Sequence, residues 1–217
     1  MKAPARAWLG LGVIALCLLA LPFMLAYAGT AWVRIANFAI LYVLLALGLN
    51  IVVGFAGLLD LGYIAFYAVG AYVYALLASP HFNLHLPFWV ILPTGAAVAA
   101  LFGILLGAPT LKLRGDYLAI VTLGFGEIIR IVLNNLSQPV NITNGPQGIA
   151  RIDPFKAGQF DFSRREALLG LDFSGPVKYY YVLLAFAVAI IAVTIRLQNS
   201  RIGRAWEAIR EDRKSVV

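Results

Sequence analysis

Thiols, imidazoles and charges are all scarce in this sequence, and each shortage removes a class of function. The single cysteine, Cys17, excludes an intrachain disulfide, and its place inside an apolar block says nothing about redox compartment. The two histidines, His81 and His85, are spaced i, i+4 in a short proline-flanked stretch rather than a helix. Both read as solvated loop residues, and no metal site is expected. Charged residues make up 12% of the chain, against about 25% in an average soluble domain. There is no G-x-x-x-x-G-K-S/T phosphate loop, and no nucleophile–base pair stands out. The reading is therefore of a protein that is not an enzyme and carries no cofactor.

Apolar residues, by contrast, make up 62% of the sequence. They fall into blocks of about 20 residues, the length that spans a bilayer core of about 30 Å. The blocks predict spans at residues 8–27, 32–53, 58–78, 88–108, 117–136 and 179–197, with the fourth stopping at Pro109. Residues 79–87 and the polar stretch 137–177 are left as loops. The fold class expected is all-α: a polytopic transmembrane helix bundle of about six spans over residues 1–198, then a short cytoplasmic amphipathic segment over 199–217. The first span has a rival reading as a signal peptide, since Ala26-Tyr27-Ala28 resembles a small-x-small cleavage site.

The net charge of +7 does not point to nucleic acid, because the basic residues sit at the ends of apolar blocks. Lys2, Arg6, Lys112, Arg114 and the basic tail from Arg196 to Lys214 place both termini in the cytoplasm by the positive-inside rule. The 79–87 loop, which has no Lys or Arg, then falls outside. So does 137–177, although it carries Arg151, Lys156, Arg164 and Arg165.

Three stretches carry the functional reading. The junction of the second and third spans, from Asn50 to Gly62, holds Asn50, Gly54, Gly57, Asp60 and Gly62. Irregular backbone at membrane depth survives only where protein or a water-filled cavity satisfies it, and broken helices often line solute paths. A tight cytoplasmic turn with Asp60 solvated, or glycines permitting close helix packing, is the plainer alternative. In the fifth span, Glu127 lies ten residues beyond Tyr117, which is about 15 Å of helix and about half of the core. Arg130 shares its face at i+3, so Glu127 either lines a hydrated path or locks helices together with Arg130. In the tail, Asn199 and Ser200 suit the cap of a helix starting at Arg201. There Ile202, Trp206 and Ile209 form one apolar stripe, extended by Ala205. Outside, Thr143 to Gly148 reads as a turn with Pro146 second and Gly148 fourth.

Taken together, these stretches resemble the permeases of branched-chain amino-acid ABC importers, of the LivM type. The resemblance is carried by the run from Gly54 to Gly62 followed by Ala65-Phe66-Tyr67 and Gly70-Ala71-Tyr72. It continues through the run from Leu113 to Gly124 with Glu127-Ile128, then Thr143 to Ile149, then Ser200 to Asp212. It implies a bacterial inner-membrane subunit that forms the substrate path for branched-chain amino acids, urea or short amides. Asn50, Gly54, Gly57, Asp60 and Glu127 are the candidate path residues. It also implies that Ile202, Gly203, Arg204, Ala205, Trp206, Ile209, Arg210 and Glu211 belong to a coupling segment seated in a cleft of an ATPase subunit. The implied partners are cytoplasmic ATP-binding subunits, a sister permease subunit, an external substrate-binding protein and membrane lipid. From Arg213 to Val217 the sequence leaves the family pattern, as a truncated or partial chain would. Two other readings stand beside this one: a secondary transporter or channel driven by an ion gradient, and a non-functional fragment.

Overall fold

The computed structural model describes residues 5–55, 57–110, 113, 116–138, 141–157, 160–162, 166–168, 171–201, 203–206 and 208. Within them run six long α-helices: α1 (Ala5–Ala28), α2 (Thr30–Asn50), α3 (Ile64–Leu77), α4 (Phe88–Thr110), α5 (Asp116–Asn135) and α6 (Gly175–Gln198). The molecule is an all-α polytopic helix bundle. Four stretches are long and apolar enough to cross a membrane: Thr30–Phe55, Phe88–Ala108, Tyr117–Asn135 and Gly175–Gln198. The two other apolar stretches, Gly12–Ala28 within α1 and Ile64–Leu77, are shorter. The large apolar side chains face outward, as lipid-facing residues do: Leu16, Met24, Ile104 and Ile120 are each more than 60% exposed.

Contacts group the chain into two compact units, one formed by residues 1–44 and 162–193, the other by 45–161 and 194–217. In the first, α6 packs on α1 and on the start of α2. Pro22 lies inside α1, where it has no N–H to offer the Leu18 carbonyl four residues earlier. The missing partner comes from α6. The Tyr180 hydroxyl donates to the Leu18 oxygen at 3.0 Å and the Tyr181 hydroxyl to the Leu19 oxygen at 2.7 Å. Tyr180 is almost fully buried, as are Val33 and Val177. Phe23 adds an edge-on contact with Phe173. A short antiparallel hairpin, labelled β3 (Glu166–Leu168) and β4 (Leu171–Phe173), precedes α6.

In the second unit, α3 packs on α4 and α5 through Ala65, Val69, Ala75, Ile91, Leu118 and Ala119, all buried. The stretch expected as a third span from residue 58 becomes helical only at Ile64. α2 ends at Asn50 and widens into a π-helical turn, Ile51–Phe55, and residues 57–63 are without helix. Two features explain the delay. Gly57 has φ +66°, a conformation that suits glycine and breaks a helix. The Asp60 Oδ1 accepts the Gly62 N–H at 2.8 Å, a local turn that competes with helix formation.

The two loops assigned to the outside by charge meet at one end of this unit. His81 Nε2 lies 2.9 Å from the Asn141 carbonyl oxygen, and His85 Nδ1 lies 2.5 Å from Asp153 Oδ2. The Asp153 N–H donates to the Ala78 oxygen at 2.6 Å. The histidines, expected to be merely solvated, thus tie one loop to the other while staying partly exposed. Thr143, 1% exposed, donates to the Leu133 oxygen and anchors the longer loop to the end of α5. The Gly148 N–H reaches the Gly145 oxygen at 3.2 Å, which places Pro146 second and Gly148 fourth in the turn. A second hairpin, β1 (Lys156–Ala157) with β2 (Phe160–Asp161), lies beyond it.

Candidate functional site at the α2–α3 break

The non-helical segment after α2 lies against the interior of its neighbours. The Leu61 N–H donates to Thr122 Oγ1 at 3.0 Å, and that hydroxyl donates to the Ala119 oxygen at 3.1 Å. Gly62 sits so close that a Cβ there would collide with the Thr122 carbonyl oxygen, and its Cα is 3.6 Å from where a Cβ on Gly126 would be. Thr122 and Gly126 lie six and ten residues into α5, which is about 9 and 15 Å along a helix that rises 1.5 Å per residue. On α4 the same segment faces Gly103 and Gly107, near that helix's C-terminal end. The break therefore lies about 9–15 Å along α5 from its start, and inside a membrane span open backbone needs a protein partner. Thr122 is that partner.

Beside the break is a cavity of about 210 Å³, lined by Asp60, Gly62, Phe66, Gly103, Thr122 and Phe125 among others. Its walls are mainly apolar, with the Asp60 carboxylate and the Thr122 hydroxyl as polar groups. Just before it, Asn50 folds its amide over Gly54 in the π turn, within 2.5 Å of where a Cβ on Gly54 would lie. Single π turns inside α-helices recur at functional sites. The structure thus brings Asn50, Gly54, Gly57 and Asp60 together along one broken stretch of backbone.

Glu127 is placed elsewhere. At about 100° per residue it points about 140° away from Thr122 around α5, and it does not line the cavity. Its carboxylate takes two hydrogen bonds from Arg130, at 2.9 Å to Nε and 2.5 Å to Nη2. Both side chains are more than half exposed. Among the described residues, no group of three or more His, Cys, Asp or Glu could hold a metal ion.

The tail begins as the cap chemistry predicts. Ser200 Oγ accepts the Gly203 N–H at 3.2 Å and donates to the Leu197 oxygen at 2.7 Å. Gly203 is buried, and a Cβ there would lie 2.6 Å from the Gln198 oxygen and still closer to that of Leu197. Arg204 and Ala205 are exposed and Trp206 is half-buried. Ile202, Ile209, Arg210 and Glu211, and with them the apolar stripe, lie outside the described residues, as do Lys112 and Arg114.

Thr122 is a functional candidate that the sequence alone did not single out. The available signal was a hydroxyl within an apolar span, followed by Gly124 and Gly126 and faced by Gly103 and Gly107 on the preceding span. Small residues at such spacing mark close helix approach.

The family profile described as "Branched-chain amino acid transport system / permease component" matches residues 31–216. Among curated proteins, the high-affinity branched-chain amino acid transport system permease protein LivM of Escherichia coli (strain K12) is 48% identical over 215 residues. That alignment covers 92% of this chain and 48% of the relative. LivM of Salmonella typhimurium (strain LT2) is 47% identical over 204 residues, covering 88% of this chain and 46% of the relative. The chain spans about half the length of these curated relatives. No solved structure matches it. With a profile match over most of its length and relatives close to half identical across nearly all of it, the chain belongs to the permease-component family of branched-chain amino acid transport systems.

Proposed function

We propose that this chain is a membrane-spanning permease subunit of an ATP-driven importer for branched-chain amino acids or similar small solutes, in the bacterial inner membrane with both termini in the cytoplasm. The observation that carries the proposal is the break at residues 57–63: backbone without helix, alongside α5, beside a mostly apolar cavity with one carboxylate and one hydroxyl. Apolar walls with a few placed polar groups suit a small zwitterion with an aliphatic side chain. Asn50, Gly54, Gly57 and Asp60 are the path residues in this reading. Glu127 joins them only if its Arg130-paired face is hydrated, and uptake left unchanged by Glu127→Gln removes it from the path.

Hydrolysis belongs to separate ATP-binding subunits, which take the tail from Ser200 onward as their contact. A sister permease and an external substrate-binding protein complete the assembly. The capped turn at Ser200 and the tight packing at Gly203 support a tail that leaves α6 in a fixed direction, as force transmission requires. The test is a detergent pull-down of the tagged native gene product beside an Ile209→Asp variant. An ATPase that co-purifies with the parent and is lost with the variant is the expected result. If no ATPase accompanies the intact chain, the ATP-driven reading fails, and uptake driven by a proton or sodium gradient becomes the experiment.

A further inference from the structure

A further cavity lies between the start of α2 and the start of α6 in the first unit. It measures about 680 Å³, within the range of about 300–1,000 Å³ seen for small-molecule sites. Its polar end is formed by Arg34, Asn37 and Ser174, and Phe38, Leu41 and Leu183 line its apolar part. Two polar atoms at that end are shielded from solvent and have no hydrogen-bond partner among the described residues: Asn37 Oδ1 and Ser174 Oγ. The Asn37 amide nitrogen is already used, donating to the Pro176 oxygen at 2.9 Å. Arg34 is exposed and forms no ion pair among the described residues.

These features describe an amphiphile's site. From Thr30 to Leu41 is eleven residues of α2, which is about 16 Å, close to half of a bilayer core of about 30 Å. The cavity therefore reaches from the end of the span to about the middle of the bilayer, the depth of one leaflet's acyl chains. Its charged group stands at the interface and its apolar part runs inward, as the head and acyl chain of a lipid do. An unpaired guanidinium fits a phosphate bidentately. An orphan carbonyl oxygen on Asn37 calls for a donor. A further transmembrane helix, whose backbone groups are satisfied internally, would need both a side-chain carboxylate and a side-chain donor at this depth to match both groups, whereas one lipid headgroup carries the two together. An arginine that merely snorkels to the interface explains its own position, but not the cavity or the two orphan atoms.

We propose that this cavity binds one phospholipid whose headgroup carries both a phosphate and a hydrogen-bond donor. The phosphate pairs with Arg34, the donor faces Asn37, and an acyl chain lies along Phe38, Leu41 and Leu183. The proposal does not rest on the function proposed above.

Native mass spectrometry of the purified chain, offered equal amounts of phosphatidylglycerol and phosphatidylcholine with the same acyl chains, tests this. One phosphatidylglycerol per chain is expected, preferred by about fivefold, the factor one neutral hydrogen bond from its headgroup to Asn37 supplies. Asn37→Leu should bring the two lipids level while Arg34 is intact, and Arg34→Gln should lower retention of both, with Arg34→Lys keeping most of it. Leu183→Trp, which fills the apolar part, should lower retention of both lipids while Arg34 is intact. Melting temperatures compare the folding of the variants. If Arg34→Gln does not fold, the Asn37 and tryptophan variants still decide. A preference that survives the loss of Asn37, or retention unmoved by the loss of Arg34, overturns the proposal, as does failure to retain either lipid. Competition by glycerol phosphate as effective as that by the lipid shows a soluble-anion site and overturns it as well.

Discussion

The bond from Leu61 to Thr122 can be removed almost without changing shape. Thr122→Val replaces a hydroxyl by a methyl of similar size at a position only 8% exposed. Ala119 loses an extra donor but keeps its helical bond, so the damage falls on the Leu61 N–H, held at 3.0 Å in the parent. An unpaired buried donor costs about 1–3 kcal/mol, and the added apolar group returns about 0.8 kcal/mol. The net loss expected is about 0.2–2 kcal/mol, which lowers the melting temperature by up to about 8 °C for a chain of this size. The same energy, read locally, is up to about a 30-fold change in opening. Hydrogen exchange followed by mass spectrometry should therefore show residues 58–62 exchanging that much faster in Thr122→Val. Thr122→Ser keeps the hydroxyl and should preserve their protection even if its own melting temperature falls through the lost methyl. Unchanged exchange in the valine variant, or equal loss in the serine variant, would refute the claim that this one hydroxyl holds the break.

Two further substitutions test the packing at either end of α6. Tyr180→Phe removes the donor that serves the Leu18 carbonyl, at a cost of about 1–3 kcal/mol and a fall of about 5 °C in melting temperature. Combining it with Pro22→Ala, which restores a helical donor to Leu18, should cost less than the two changes summed; strict additivity counts against the pairing. Gly203→Ala forces a Cβ against two backbone oxygens, an overpacking of about 1–3 kcal/mol that the tail can relieve by lifting from α6. Tryptic cleavage after Arg201 and Arg204 should then speed up by about tenfold with little change in global melting, and an unchanged cleavage rate sinks the idea.

What the sequence made legible was whatever depends on near neighbours. Apolar blocks announced the helices because span length is a local property. Ser200 announced its cap because donor and acceptor are three residues apart, and Pro146 and Gly148 their turn for the same reason. Arg130 was visible as the partner of Glu127 at i+3. That this pair faces away from the Thr122 cavity was not, because the direction of the face is set by packing. The late start of α3 was half-visible: Gly57, Asp60 and Gly62 signalled irregular backbone, but only the contact with Thr122, sixty-one residues on, places it alongside α5. The hairpins at 156–161 and 166–173 gave no alternating apolar pattern to read. The ties from His81 and His85 to Asn141 and Asp153 join loops with two spans between them. The cavity at Arg34 needs Ser174, 140 positions later, and no local rule connects the two.

The bond from Tyr180 to Leu18 spans 162 residues of sequence and so carries information about time as well as space. At about 5–20 residues per second, the ribosome makes α6 roughly ten to thirty seconds after α1. Through that interval α1 exists with a proline-opened carbonyl and nothing from α6 to fill it. The nascent chain has a vulnerable first helix whose repair is encoded five helices later. Water, lipid headgroups or the insertion machinery must shelter that carbonyl meanwhile. A chain interrupted before Tyr180 leaves a first helix that quality control can recognise by its unsatisfied backbone.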